Sequence, residues 1–164
     1  YAISNMKLIK KIFFVLLKCR NEPCIAFFPQ YDNVSSSLLR CNNLQLPLRK
    51  RGWCTIIVPR KAHILLRIIV LQILNPKILF VQKDVFKAIY LLSKKKNLQR
   101  LIFDIDDADF HDELLTDKFN YVFFNSDGVI CGSRYIKNYV DRFNDNSCVI
   151  WSSTKLSNKK AFFH

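Results

Sequence analysis

Short apolar runs, rich in β-branched and aromatic residues, recur along the chain, and longer segments of helical character lie between them. This alternation is that of βαβ units, in which each strand of a parallel sheet is followed by a helix that crosses back over the sheet. Strands are expected at residues 24–28, 54–58, 78–81, 101–103, 128–131 and 148–150. Helices are expected at residues 36–51, 61–74, 85–93, 115–125 and 134–143. Punctuation supports these limits. Gly52 stops the first helix without a Cβ penalty, and Asn75-Pro76 ends the second, because proline drives the residue before it out of helical conformation. The fold class expected is α/β, a Rossmann-like parallel sheet flanked by helices.

Length and composition fit one domain. A chain of 164 residues buries about two-thirds of the surface its unfolded form exposes. Half of the residues are hydrophobic, which excludes disorder over most of the length. Residues 1–22 read as a basic, apolar N-terminal extension, 23–152 as the α/β domain and 153–164 as a polar tail. The apolar stretch at residues 12–17 is flanked by Lys10, Lys11, Lys18 and Arg20. It falls short of the roughly 18 residues a membrane span needs, and it suits an interfacial helix instead.

Charge divides the chain. Residues 1–100 hold 19 Lys and Arg against 3 Asp and Glu, whereas residues 101–164 hold 7 against 10. A basic half suits polyanions, phosphorylated substrates or an anionic membrane surface. No nucleic-acid partner is expected, because the basic residues are scattered between apolar positions and lack interleaved surface aromatics. Cys19, Cys24, Cys41, Cys54, Cys131 and Cys148 fall singly, so zinc is not expected. Cys54 and Cys131 lie in apolar runs, as free thiols packed in a reducing cytosol would. A cytoplasmic location follows, with peripheral attachment to the inner membrane face open.

Candidate chemistry gathers at the expected strand-to-helix junctions, which share one edge of a parallel sheet. In open α/β sheets ligands bind outside the carboxyl ends of the strands. Arg100-Leu-Ile-Phe-Asp-Ile-Asp-Asp-Ala-Asp-Phe110 ends an apolar run in four carboxylates, Asp104, Asp106, Asp107 and Asp109. Ser35, Ser36 and Ser37 open the first helix, where serine either caps the helix or leaves backbone N–H groups for a phosphate. Arg40, one turn further, is placed to pair with a phosphate or a carboxylate. Gln82 and Lys83 end the third strand, and Ser133 and Arg134 follow the fifth. His111 is the one histidine beside the acidic turn and a candidate acid–base group.

A D-x-D pair also serves aspartate-dependent phosphatases and metal-dependent single-domain glycosyltransferases. Here Ala108 stands where the phosphatase pattern needs Thr or Val, and no acidic pair ends a later strand. For the metal-dependent transferases, no base-binding feature precedes Asp104. A motif without its structural context carries little weight.

Five segments, taken in order, say more. Ser35-Ser-Ser-Leu-Leu-Arg40 with the following Leu-Gln-Leu-Pro-Leu-Arg-Lys-Arg-Gly52, then Ile78-Leu-Phe-Val-Gln-Lys83, then Leu101-Ile-Phe-Asp-Ile-Asp-Asp-Ala108, then Ser126-Asp-Gly-Val-Ile-Cys-Gly-Ser-Arg-Tyr-Ile-Lys-Asn-Tyr139 and finally Cys148-Val-Ile-Trp-Ser152 resemble, in that order, the N-terminal domain of group 1 glycosyltransferases. Those enzymes have the two-domain GT-B fold. Two departures stand out: serines replace the glycine-rich loop many members carry after the first strand, and Trp151 stands where proline is usual.

The resemblance implies an enzyme that moves a sugar from a nucleotide-sugar donor to a glycan or lipid-linked acceptor. It implies no metal and no cofactor beyond the nucleotide-sugar co-substrate. The N-terminal domain would receive the acceptor, and a C-terminal domain with an E-x7-E pattern, in cis or in trans, would bind the donor. This chain has no such pattern, so it is expected to be inactive alone. Under this reading Asp106, Asp107 and His111 stand at the acceptor hydroxyl, while Ser35, Ser36, Ser37, Arg40, Gln82, Lys83, Asp104, Ser133 and Arg134 bind substrate. The contrasting expectation is a non-catalytic α/β binding module.

Overall fold

The computed structural model describes residues 22–31, 37–60 and 64–151. Ser35, Ser36, the N-terminal extension up to residue 21 and the tail lie outside these residues. Six strands form one sheet: β1 Cys24–Phe28, β2 Cys54–Ile57, β3 Ile78–Gln82, β4 Arg100–Ile105, β5 Gly128–Cys131 and β6 Ser147–Val149. Their order is β2-β1-β3-β4-β5-β6, and every pair is parallel. The expected α/β, Rossmann-like sheet is therefore present.

Five helices connect the strands: α1 Asn43–Arg49, α2 Ile64–Ile69, α3 Val85–Lys94, α4 Thr116–Asn125 and α5 Arg134–Val140. Wider π-helical turns, Leu38–Asn42 and Val70–Leu74, precede α1 and follow α2. Gly52 ends the first of these helical segments as expected. Its φ is 80°, its N–H donates to the Arg49 carbonyl, and the Trp53 N–H reaches back to Leu48, the paired bonds of a Schellman ending. Asn75, with φ 45°, closes the second.

The chain reverses direction once. β2 lies on one side of β1, and β3 to β6 follow on the other. Because crossovers are right-handed, this reversal puts α1 and the later helices on opposite faces. On one face Leu79, Val81, Leu101, Phe103, Ile105, Val129 and Cys131 pack against Leu71, Leu91, Phe119, Phe123 and Val140. The other face carries Ile25, Phe27 and Phe80 against Cys41, with Leu48, Trp53, Ile102 and Ile130 partly buried around them. Among the described residues the α1 segment packs on this second face, and Ile150 and Trp151 border it.

Two expectations need correction. β4 does not end at Phe103: it continues through Asp104 to Ile105, in register with Gln82 and Ile130. The expectation of free thiols holds for Cys24, Cys41, Cys131 and Cys148, but Cys54 is disulfide-bonded. A disulfide is uncommon in a reducing cytosol, so the cysteines no longer argue for that compartment. The described part of the apolar 61–74 segment is core at Val70 and Leu71. Among the described residues no helix is long and apolar enough to cross a membrane.

Candidate functional site

The extension of β4 decides the geometry of the site. Side chains alternate along a strand, so Leu101, Phe103 and Ile105 enter the main core, while Asp104 shares its face with Ile102, on the side of α1. Arg40, on the π-helical turn before α1, meets it there. Its Nη1 forms an ion pair with Asp104 Oδ1, its Nε stands 3.7 Å from Asp106 Oδ2, and its Nη2 donates to the Ile150 carbonyl at 3.2 Å. Arg40 is 7% exposed and Asp104 is 1% exposed. One guanidinium thus joins the helix after β1, the end of β4 and the segment after β6.

Gly132 makes this junction possible. A Cβ there would stand 2.7 Å from Asp106 Cα and 3.1 Å from Arg40 Nη2, closer than real Cβ atoms approach backbone. The amide of Gly132 donates to the Ile105 carbonyl, which holds the end of β5 against the acidic segment.

Gln82 and Ser37 form the next layer. The Ser37 hydroxyl, 1% exposed, donates to Gln82 Oε1 at 2.8 Å and makes no capping bond to the helix it opens. Its hydroxyl is therefore committed to the third strand. Ser133 behaves as a plain cap: its Oγ accepts from the Ile136 N–H at 3.2 Å, and Arg134 beside it is exposed.

Asp107 and Asp109 turn away from Arg40 and pair instead with Lys83, the second at 3.2 Å. Lys83 adopts φ 58°, a left-handed backbone that a non-glycine residue holds only when its surroundings fix it. Here its N–H donates to the Asp104 carbonyl. Burial opposes the Lys83 charge, but the bonds to Asp107 and Asp109 outweigh it and raise the ammonium pKa above its usual value. His111, exposed, bonds through Nε2 to the Tyr135 hydroxyl at 2.7 Å. The four carboxylates thus split into two sets: Asp104 and Asp106 on Arg40, Asp107 and Asp109 on Lys83.

Electrostatics follow from burial. Burial pushes the Asp104 carboxyl from 3.8 up to about 7, against the pull of Arg40 and with a further push from Asp106. Burial likewise pushes the Cys41 thiol up to about 12, which leaves it a packed hydrophobe at neutral pH. Among the described residues Asp104 Oδ2, Asp106 Oδ1 and Gln82 Nε2 are buried without a hydrogen-bond partner. Such groups are costly unless something satisfies them.

Lys87 was not anticipated from sequence. It is 6% exposed, donates to the Pro29 carbonyl at the end of β1 and pairs with Asp84. Burial lowers its pKa, Asp84 opposes the shift, and the nearby Arg67 and Arg60 add to it. Its only sequence signal was the spacing of three from Asp84, the residue that caps α3.

Beside Arg40 and Asp104 lies a pocket of about 190 Å³, bounded by Leu39, Leu44, Phe80, Ile130, Ile150 and Trp151. It opens at the sheet face that α1 partly covers. Among the described residues no three His, Cys, Asp or Glu side chains are grouped as metal ligands would be. No protein-family model matches the chain, and no curated protein sequence matches it.

Proposed function

We propose that this chain is the acceptor-side, Rossmann-like unit of a nucleotide-sugar-dependent glycosyltransferase, and that it receives a glycan or lipid-linked acceptor at the carboxyl edge of its sheet. The observation that carries this reading is the Arg40 junction. Three of the five segments on which the resemblance rests, around Arg40, Asp104–Asp106 and Ile150, meet through one side chain. A fourth supplies Gly132, whose missing Cβ lets them close. Residues brought together by fold rather than by sequence form a connected edge beside an open pocket.

In this reading Asp106 is the residue at the acceptor hydroxyl. It is only partly buried and Arg40 orients its Oδ2, while its Oδ1 is buried with no hydrogen-bond partner among the described residues, so the carboxylate is held in place and stays partly open to an acceptor. General base action of this kind contributes roughly 10²–10⁴-fold. His111 and Asp107 lie on the outer rim. Asp104 is buried and paired, an environment for holding Arg40 rather than for the exposed nucleophile an aspartate-dependent phosphatase needs. A nucleotide-sugar donor, and a donor-binding domain in cis or in trans, complete the proposal. Orientation between two domains supplies about 7–11 kcal/mol of such barriers, so the chain alone is expected to show no turnover. The test is sugar transfer by the 164-residue protein with and without a donor-binding domain; transfer by the isolated protein would overturn the assignment of an acceptor-side half.

The second reading is a non-catalytic binding module, and the strand order favours it. Sheets that begin 2-1-3-4-5 include flavodoxin-like proteins, which bind their ligands at the switch between β1 and β3. That switch is where Lys87, Pro29 and Gln82 meet here. A nucleotide-sugar assay that stays silent with the donor domain supplied would support the module.

A further inference from the structure

We infer that Lys83 is a strained latch: its ion pairs with Asp107 and Asp109 hold the turn after β3 in a costly backbone conformation, and their release relaxes that turn and loosens the segment that follows β1. The inference does not depend on the acceptor-side reading.

The strain lies in the backbone. The Asp84 N–H donates to the Gln82 carbonyl at 2.7 Å, which closes a three-residue turn around Lys83. Because the Lys83 φ is 58°, this is the γ-turn of positive φ, the rare and strained form, and not the common inverse one. The cost comes from the Cβ, since glycine takes positive φ as readily as negative. On its other side the turn is fixed against β4, where the Lys83 N–H donates to the Asp104 carbonyl at 2.8 Å.

The holding force lies in the side chain. The Lys83 ammonium pairs with Asp107 and, at 3.2 Å, with Asp109, both on the segment after β4. The lysine side chain is 13% exposed, whereas those of Asp107 and Asp109 are 66% and 42% exposed. A strained backbone persists only where its surroundings over-determine it. Here part of that restraint comes from two carboxylates that stand in solvent, within reach of a competing cation or hydrogen-bond donor.

Both neighbours of Lys83 reach the segment after β1. Gln82 Oε1 accepts from the Gln30 N–H at 3.4 Å. Asp84 caps α3 through the Lys87 N–H and pairs at 3.0 Å with the Lys87 ammonium, which donates in turn to the Pro29 carbonyl at 3.2 Å. A change of φ at Lys83 reorients Gln82 against Asp84, so it is felt at Pro29 and Gln30. The latch thereby joins the acidic segment after β4 to the loop after β1, the two sides of the point where the strand order reverses.

The test is amide hydrogen exchange, read by NMR as protection factors at Asp84 and Gln30, in the 164-residue protein and three variants whose folding is established by circular dichroism. Asp107→Ala with Asp109→Ala is expected to lower both protection factors by at least about tenfold, and Lys83→Ala to do the same. Lys83→Gly makes neither ion pair, yet it is expected to keep both amides within about threefold of the native protein, because without a Cβ the turn needs no holding. Equal loss in Lys83→Gly and Lys83→Ala would show an ordinary structural contact and overturn the strain. Undiminished protection at Asp84 in the carboxylate variant would overturn the latch, and loss at Asp84 with Gln30 unmoved would overturn the link to the loop after β1.

Discussion

At the scale of single residues, Asp104 holds the most information. An aspartate at the end of an apolar run reads as the start of a turn, since carboxylates are depleted in strands. Here the strand continues because Arg40, 64 positions away, answers the charge within the core. That compensation is non-local, and nothing in the segment itself announces it. It has a measurable consequence. Burial raises the folded-state pKa from 3.8 to about 7, so above that range the native protein must carry a charge that burial disfavours. As pH falls from about 7 toward 3.8, the native carboxyl takes up a proton while the unfolded one stays ionised, and stability rises. Asp104→Asn is expected to remove this slope from urea midpoints measured across the window, whatever it does to absolute stability. Asp127 works in the opposite sense: burial opposes its ionisation, but Lys95, the Leu101 N–H and Arg100 overcome that and lower its pKa. Its contribution is lost only as pH falls through that depressed value. Gly132 is the second decisive residue. Gly132→Ala is expected to cost about 1–3 kcal/mol by forcing apart two backbone segments, and to displace the Asp106 amide signal in an NMR spectrum.

At the scale of elements, the alternation of apolar and helical segments made the strands and helices legible, because each strand of a parallel sheet is apolar through its length. Gly52 and Asn75-Pro76 marked helix ends for local steric reasons, and both endings are present. The π-helical turns were not legible, since they continue the helical pattern while shifting which residues face the sheet. That shift is what buries Arg40 and Cys41. Of the candidate site, the positions at the carboxyl edge could be read from the junctions, but their partners could not. The serine expected to cap or bind phosphate, Ser37, is tied to Gln82, while Ser133 does cap its helix. The α3 start carries a testable division of labour. Asp84 accepts from the Lys87 N–H at 2.9 Å and pairs with the buried Lys87 ammonium. Asp84→Ala is expected to lose the cap, about 0.5–2 kcal/mol, together with the ion pair, whereas Asp84→Asn keeps the cap and loses only the pair. Urea unfolding of the two variants separates these terms.

At the scale of the whole molecule, one reversal of strand order organises everything else. It sends α1 to one face and the later helices to the other, and it leaves the second face with a pocket beside Arg40. The order itself was not legible, because apolar strands of similar length carry no label of their neighbours; the fold class was, because alternation alone fixes it. Function lives in the site and not in the fold, so the proposal stands on the edge at Arg40, Asp104 and Asp106 and not on the Rossmann-like sheet. The most direct measurement is the rate of sugar transfer by this chain supplied with a donor-binding domain, compared between the native sequence and Asp106→Asn, with circular dichroism to establish that both are folded. The expected result is transfer only when the donor domain is present, and a loss of about 10²-fold or more in the variant. Transfer by the chain alone, or an undiminished rate in Asp106→Asn, would contradict it.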